Sequence, residues 1–216
     1  MRNSVALILC TTLLLPASLY AKQEPPGAAF DHFIDSCTKG LQTPGGVLSI
    51  EQDGKLIYER AFGASTLEHP VANTVSTIFE AGSVSKQFTA AAVLLLVNEG
   101  KISLQDDIRK YITELPKYTW EIKVEHLLSH TSGIKDWGTV AQMGGWPRTT
   151  NTYTETYVQR ILFAQRTLNF DPGTQYAYSN SNHNLLRLLV EKVSKQPFTA
   201  FTQERLFSKA GMKDTQ

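Results

Sequence analysis

The spacing of apolar and polar positions divides the chain into one hairpin and a series of helices. From Ala28 to Lys39, Phe30, Phe33, Ile34 and Cys37 fall at i, i+3, i+4 and i+7, one face of a helix that Gly40 stops. On that face Cys37 is expected to be a buried structural thiol. The segment GGVLSIEQDGKLIYERAFG holds two strand-like runs around Asp53-Gly54, a pair that accepts the positive φ values of a tight hairpin turn. STLEHPVANTVST is polar and reads as a connection. From Ser85 the pattern turns helical, with Ala90 to Val97 apolar on every face and Gly100 at the end. A helix of that kind is expected to be buried, and it is too short to span a bilayer.

The rest of the chain reads as helices and loops. A short helix is expected over Val124 to Ser129, followed by a glycine- and tryptophan-rich loop from Gly133 to Asn151. A helix over Thr154 to Gln165 precedes a turn at Asp171-Pro172-Gly173, and two more cover Asn182 to Ser194 and Phe198 to Phe207. No internal repeat or low-complexity segment interrupts this order. The class is therefore α+β, a helical lobe with an antiparallel hairpin. A hairpin without further strands is marginal in water.

The N-terminus changes the picture. Arg2, the apolar run from Val5 to Leu15, Pro16 and the small residues ending at Ala21 have the layout of a secretory signal. Residues 1–21 are expected to be removed, with a cut after Ser18 as the alternative, leaving residues 22–216 as one periplasmic or secreted domain without a stable membrane span. Cleavage would leave Cys37 as the one cysteine, so no intrachain disulfide would brace the fold. The formal charge is +1 and loses Arg2 with the signal, which gives no basic face for nucleic acid.

Two short constellations could carry chemistry. Ser83 lies three residues before Lys86, so both share one face if Ser83 opens the buried helix. A serine hydroxyl needs a base within hydrogen-bond reach, and a lysine held at a helix N-terminus among apolar neighbours can serve as one. Tyr178-Ser179-Asn180 follows the turn Phe170-Asp171-Pro172-Gly173-Thr174. A tyrosine beside a lysine loses its proton more easily, and an asparagine can orient a substrate amide with donor and acceptor. Taken alone, the first pair reads as a capping serine and a solvated lysine and the second as a buried tyrosine with a satisfied hydroxyl; the position of Ser83 and Lys86 between Phe79 and an all-apolar helix is what favours the chemical reading. His126 and His130 are four apart, but Leu127, Leu128 and Ser129 lie between them and no HExxH glutamate is present, so no metal site is expected. His130 reads as a tie for the loop after the short helix. Trp137 and Trp146 suit a cleft wall and a core anchor equally, and His183 receives no role.

Together these segments resemble the class C β-lactamase family with its penicillin-binding and esterase relatives. The residues are Phe79 to Thr89 around Ser83, Leu127-Leu128-Ser129-His130-Thr131-Ser132-Gly133-Ile134, Phe170 to Asn180, and Leu206 to Thr215. The resemblance implies the α/β sandwich of the β-lactamase/transpeptidase-like type and a serine hydrolase that works without a cofactor. By the same resemblance Ser83 is the acylated nucleophile, Lys86 its activating partner, Tyr178 the general base and acid, and Asn180 a substrate-orienting amide. The Ser83 N–H would be half of an oxyanion hole. The substrate would be a small molecule or peptide: a β-lactam, an amide or an ester. The family's Lys-Thr-Gly or His-x-Gly strand has no counterpart, since Lys209-Ala210-Gly211 follows a helix and lacks a strand pattern. The chain is accordingly expected to be C-terminally incomplete, to hold only the N-terminal hairpin of the sheet, and to fold and turn over poorly alone. The competing reading is a catalytically incompetent fragment or binding protein that keeps the nucleophile motif.

Overall fold

A computed structural model describes residues 26–38, 40–147 and 150–216. The expected export segment, residues 1–21, lies outside the described residues. The described residues divide into two compact units, one up to residue 79 and one from residue 80 onward.

In the first unit, helix α1 (Pro26–Cys37) precedes an antiparallel ribbon of β1 (Gly46–Gln52) and β2 (Lys55–Phe62). The turn between the strands is the expected one. Asp53 and Gly54 take φ values of 52° and 71°, the left-handed pair that matches the twist of a two-residue hairpin. Helix α1 is tied to β2 through Arg60, which bonds Asp31 at 2.8 Å and Asp35 at 2.5 Å, while Tyr58 Oη donates to Asp31 at 2.8 Å. Phe30 meets Tyr58 with ring centroids 5.3 Å apart, and Ile34 is buried. Cys37, however, is exposed, as is Phe33, which corrects the buried thiol expected from the helical spacing. The stripe of α1 that packs is the narrow one through Phe30 and Ile34, and residues 33 and 37 fall beyond it. The polar connection also contains a second ribbon, β3 (Ala64–Thr66) with β4 (Val71–Ala72). Backbone bonds hold it in place. Ala64 N–H donates to Thr43 at 2.9 Å and Gly45 N–H to Ala64 at 3.1 Å.

The second unit is helical. A 3₁₀ turn over Gly82–Ser85 opens α2 (Lys86–Asn98), followed by α3 (Val124–Leu128), α4 (Trp137–Met143), α5 (Glu155–Ala164), α6 (Asn180–Ser194) and α7 (Phe198–Thr202). A π-helical turn over Gln203–Phe207 continues α7 through the expected span. The core gathers Val93 and Leu96 of α2, Leu127 of α3, Leu162 of α5 and Leu185, Leu186 and Leu189 of α6, all essentially without solvent contact. Helix α2 packs against α6 with the stripe Thr89, Ala92, Val93 and Leu96. It is not buried on every face: Leu94, off that stripe, is 49% exposed. Helix α4 interrupts the expected glycine-rich loop. Asp136 caps it by accepting the Thr139 N–H at 3.0 Å, and Trp137 and Ala141 anchor it in the interior. Trp137 is thus a core residue, whereas Trp146 is 46% exposed. Among the described residues no helix is long and apolar enough to cross a membrane.

Candidate active site

All four residues singled out from the sequence meet within the second unit. Ser83 stands in the 3₁₀ turn directly before α2, and Lys86 is the first residue of the helix. Gly82 makes this turn at φ 52°, a left-handed step that glycine takes without cost. Tyr178 and Asn180 flank Ser179, which precedes α6 as its cap residue. Lys86 Nζ donates to Ser83 Oγ at 3.2 Å, and Ser83 Oγ lies 2.9 Å from Tyr178 Oη. Tyr178 Oη in turn donates to Asn180 Oδ1 at 3.4 Å. With the tyrosine proton directed to Asn180, the serine proton points at Tyr178 Oη, and the donors run one way from lysine to asparagine. Lys86 Nζ also sits 5.1 Å from the centre of the Tyr178 ring.

This geometry fixes the electrostatics of the tyrosine. Hydrogen bonding to Lys86, then to Ser83, lowers the Tyr178 pKa below the ordinary phenol value, against a smaller effect of burial. The burial of the lysine differs from the one the sequence suggests. Ser83, Val84 and Ser85 are exposed and Lys86 is half-buried, so the lysine lies in direct contact with the other polar groups and outside the apolar interior that its neighbours in sequence suggest.

Residues that the sequence left without a catalytic role hold Tyr178 in place. His130, at φ 57°, ends the turn after α3, and its ring lies 4.6 Å from the Tyr178 ring. His130 Nδ1 accepts the Ser179 N–H at 3.2 Å and the Asn182 amide at 3.1 Å. The Asn182 orientation follows from Ser132 Oγ, which donates to Asn182 Oδ1 at 2.6 Å and accepts the Ile134 N–H at 3.1 Å. With Nδ1 engaged as acceptor, the neutral ring carries its proton on Nε2. Burial, then the charge of Lys86, push His130 below the usual imidazole value. Loop contacts complete the frame: Ala177 N–H to His130 O at 3.0 Å, Gly173 N–H to Thr131 O at 2.8 Å, and Asn169 N–H to Gly133 O at 2.8 Å. The expectation that His130 ties down this loop holds. His126 also has a local role, its Nδ1 accepting the Lys123 N–H at 3.2 Å at the start of α3. His183, one turn into α6, faces His130 at 5.2 Å with its Nδ1 buried and unbonded, and its pKa is depressed to about 4, chiefly by burial.

The arrangement matches a known family over most of the chain. The beta-lactamase family model fits residues 30–216. This chain belongs to the beta-lactamase family. Within it, the chain is 31% identical over 188 residues to a D-aminopeptidase of Brucella anthropi, covering 86% of this chain and 35% of that protein. It is 28% identical over 179 residues to penicillin-binding protein 4* of Bacillus subtilis, covering 81% and 38% respectively. Among solved structures, the octameric penicillin-binding protein homologue from Pyrococcus abyssi superposes with a TM-score of 0.70 at 30% identity, over 86% of this chain and 42% of that one. The penicillin-binding protein from Bacillus halodurans gives 0.71 at 25%, over 84% and 54%. The chain therefore spans little more than a third of these two curated relatives. The fold is that of the penicillin-binding and beta-lactamase proteins, as the motifs implied.

Proposed function

We propose that this chain is part of an exported serine hydrolase that cleaves amides, or related esters, through an acyl-enzyme on Ser83. One observation carries the reading. The hydroxyl of Ser83 is held at 2.9 Å from a tyrosine whose acidity is raised and at 3.2 Å from the lysine that raises it. In this reading Tyr178, as phenolate, takes the Ser83 proton while Oγ bonds to the carbonyl carbon and the carbonyl π electrons move to oxygen. The Ser83 N–H donates to that oxyanion. As the carbonyl re-forms, the C–N bond breaks and Tyr178 returns its proton to the departing nitrogen. Water then adds to the ester, passing a proton to Tyr178, and Ser83 leaves with a proton as the acid is released. Lys86 keeps the phenolate accessible throughout by its positive charge, and Asn180 presents its amide to the substrate.

The D-aminopeptidase relative favours amides of small peptides or amino acids as substrates, with β-lactams and carboxylic esters as the same carbonyl chemistry. Export rests on the signal pattern of residues 1–21, and mass spectrometry of the exported protein should find Lys22 at the N-terminus. An intact Met1 there would end that part of the reading. For the chemistry, a fluorophosphonate probe applied to the full-length protein should label the peptide containing Ser83 and nothing in the Ser83→Ala variant. Labelling that survives this substitution would show that the nucleophile lies elsewhere.

A further inference from the structure

One acidic side chain beside the catalytic group serves two helices at once. Asp136 caps α4 through Oδ1, which accepts the Thr139 N–H at 3.0 Å and its hydroxyl at 3.4 Å. Its other oxygen faces the opening turn of α6. Oδ2 accepts the Asn180 N–H at 2.6 Å and the Asn180 side-chain Nδ2 at 2.9 Å. Four donors thus converge on one carboxyl group, two on each oxygen. The contact to Nδ2 settles which way the Asn180 amide faces. With Nδ2 turned to Asp136, Oδ1 is left toward Tyr178 Oη at 3.4 Å, as the acceptor that ends the donor chain from Lys86 through Ser83 and Tyr178.

We infer that Asp136 is a positioning residue of the acylation reaction. It holds the Asn180 amide with its oxygen toward Tyr178 and its second N–H free for the substrate. The inference rests on the proposed acyl transfer at Ser83. Asp136 touches none of the reacting atoms and acts through Asn180. In the resting site with Tyr178 protonated, a rotated Asn180 amide would turn Nδ2 to the Tyr178 hydroxyl, which would lose its acceptor there and direct its proton back toward Ser83 Oγ. The carboxylate excludes that rotamer, because the rotated amide would aim a carbonyl oxygen at a negative charge. Lys135, its chain neighbour, is bonded to the backbone oxygen and hydroxyl of Thr167.

Two substitutions separate positioning from the capping of α4. Asp136→Ser retains an oxygen that caps the helix but is too short to reach Asn180. Asp136→Asn keeps the size and places an amide against the Asn180 donors. In the full-length protein, the second-order rate of fluorophosphonate labelling at Ser83 should fall roughly 10- to 100-fold in both, the scale expected when a reacting array loses its alignment. Thermal unfolding of Asp136→Ser should stay close to the parent. On an Asn180→Ala background, adding Asp136→Ser should cost little more, since the group it positions is already gone. Labelling of Asp136→Ser at the parent rate would overturn the inference, and so would a loss that persists in full on the Asn180→Ala background. If the parent itself is not labelled at Ser83, the acyl-transfer reading fails instead, and the two failures are distinguishable.

Discussion

Replacing Gly133 with alanine should disturb the site without touching any group that reacts. Gly133 sits at φ 74°, and a Cβ there would overlap the carbonyl oxygen of Phe170 and press on Leu168 Cβ at 3.3 Å. The left-handed backbone costs an L-residue about 1 kcal/mol. The overlap is with backbone, so the His130–Gly133 turn and the Asn169–Ala177 segment must move apart. Three backbone hydrogen bonds join those segments, and losing two of them, at about 1 kcal/mol each, brings the total to about 3 kcal/mol. For a unit of this size that corresponds to a fall in Tm of roughly 10 °C. The Tyr178 segment is one of the parted strips, so fluorophosphonate labelling at Ser83 should slow by more than the loss of folded protein explains. Differential scanning calorimetry of the full-length protein, paired with labelling well below the transition, checks both. A Tm within 2 °C of the parent and an unchanged labelling rate would refute the view that this close approach builds the site.

Other outcomes follow from the same contacts. Because Lys86 is the main cause of the lowered Tyr178 pKa, the rise of the acylation rate with pH should lie below the ordinary phenol range, and Lys86→Gln should move it upward; a limb that stays put would exclude Tyr178 as the base. His183 is depressed from 6.5 to about 4, so the unfolded chain binds its proton first: the stability it contributes is full above pH 6.5 and is lost as pH falls toward 4. His183→Leu should flatten the decline of Tm over that window, and an unchanged slope would count against a buried neutral ring. Cys37 should react with a thiol reagent in the native state, where protection until unfolding would contradict its exposure.

Local signals made part of this structure readable. The Asp53-Gly54 turn and the span of α6 depend on nearest-neighbour chemistry, so the sequence announces them directly. Ser83 and Lys86 share a helical turn, and their meeting follows from spacing alone. That Tyr178 joins them across 95 positions was carried by the family resemblance, because no periodicity encodes a contact between two helix starts. Helix α4 was hidden by Gly138, Gly144 and Gly145, although Asp136 three residues before Thr139 is a capping signal that could have disclosed it. Burial was the least legible property. Cys37 and Leu94 occupy apolar patterns yet face solvent, since a pattern identifies a stripe without saying how wide its neighbour is. The asymmetric use of Asp136 was beyond reach for a similar reason, as its second partner lies 44 residues away.

The packing of α2 on α6 has a consequence for how such a protein can change. Lys86 opens one helix and Ser83 stands in the 3₁₀ turn that leads into it, while Asn180 opens the other and Tyr178 lies two residues before it. Their spacing is therefore inherited from how far each rod is advanced along its own axis. A displacement of one residue's rise, about 1.5 Å, would carry the serine out of the tyrosine's reach. The leucines and valines between these rods act as a vernier, and a change of volume among them would retune the reaction from one or two helical turns away.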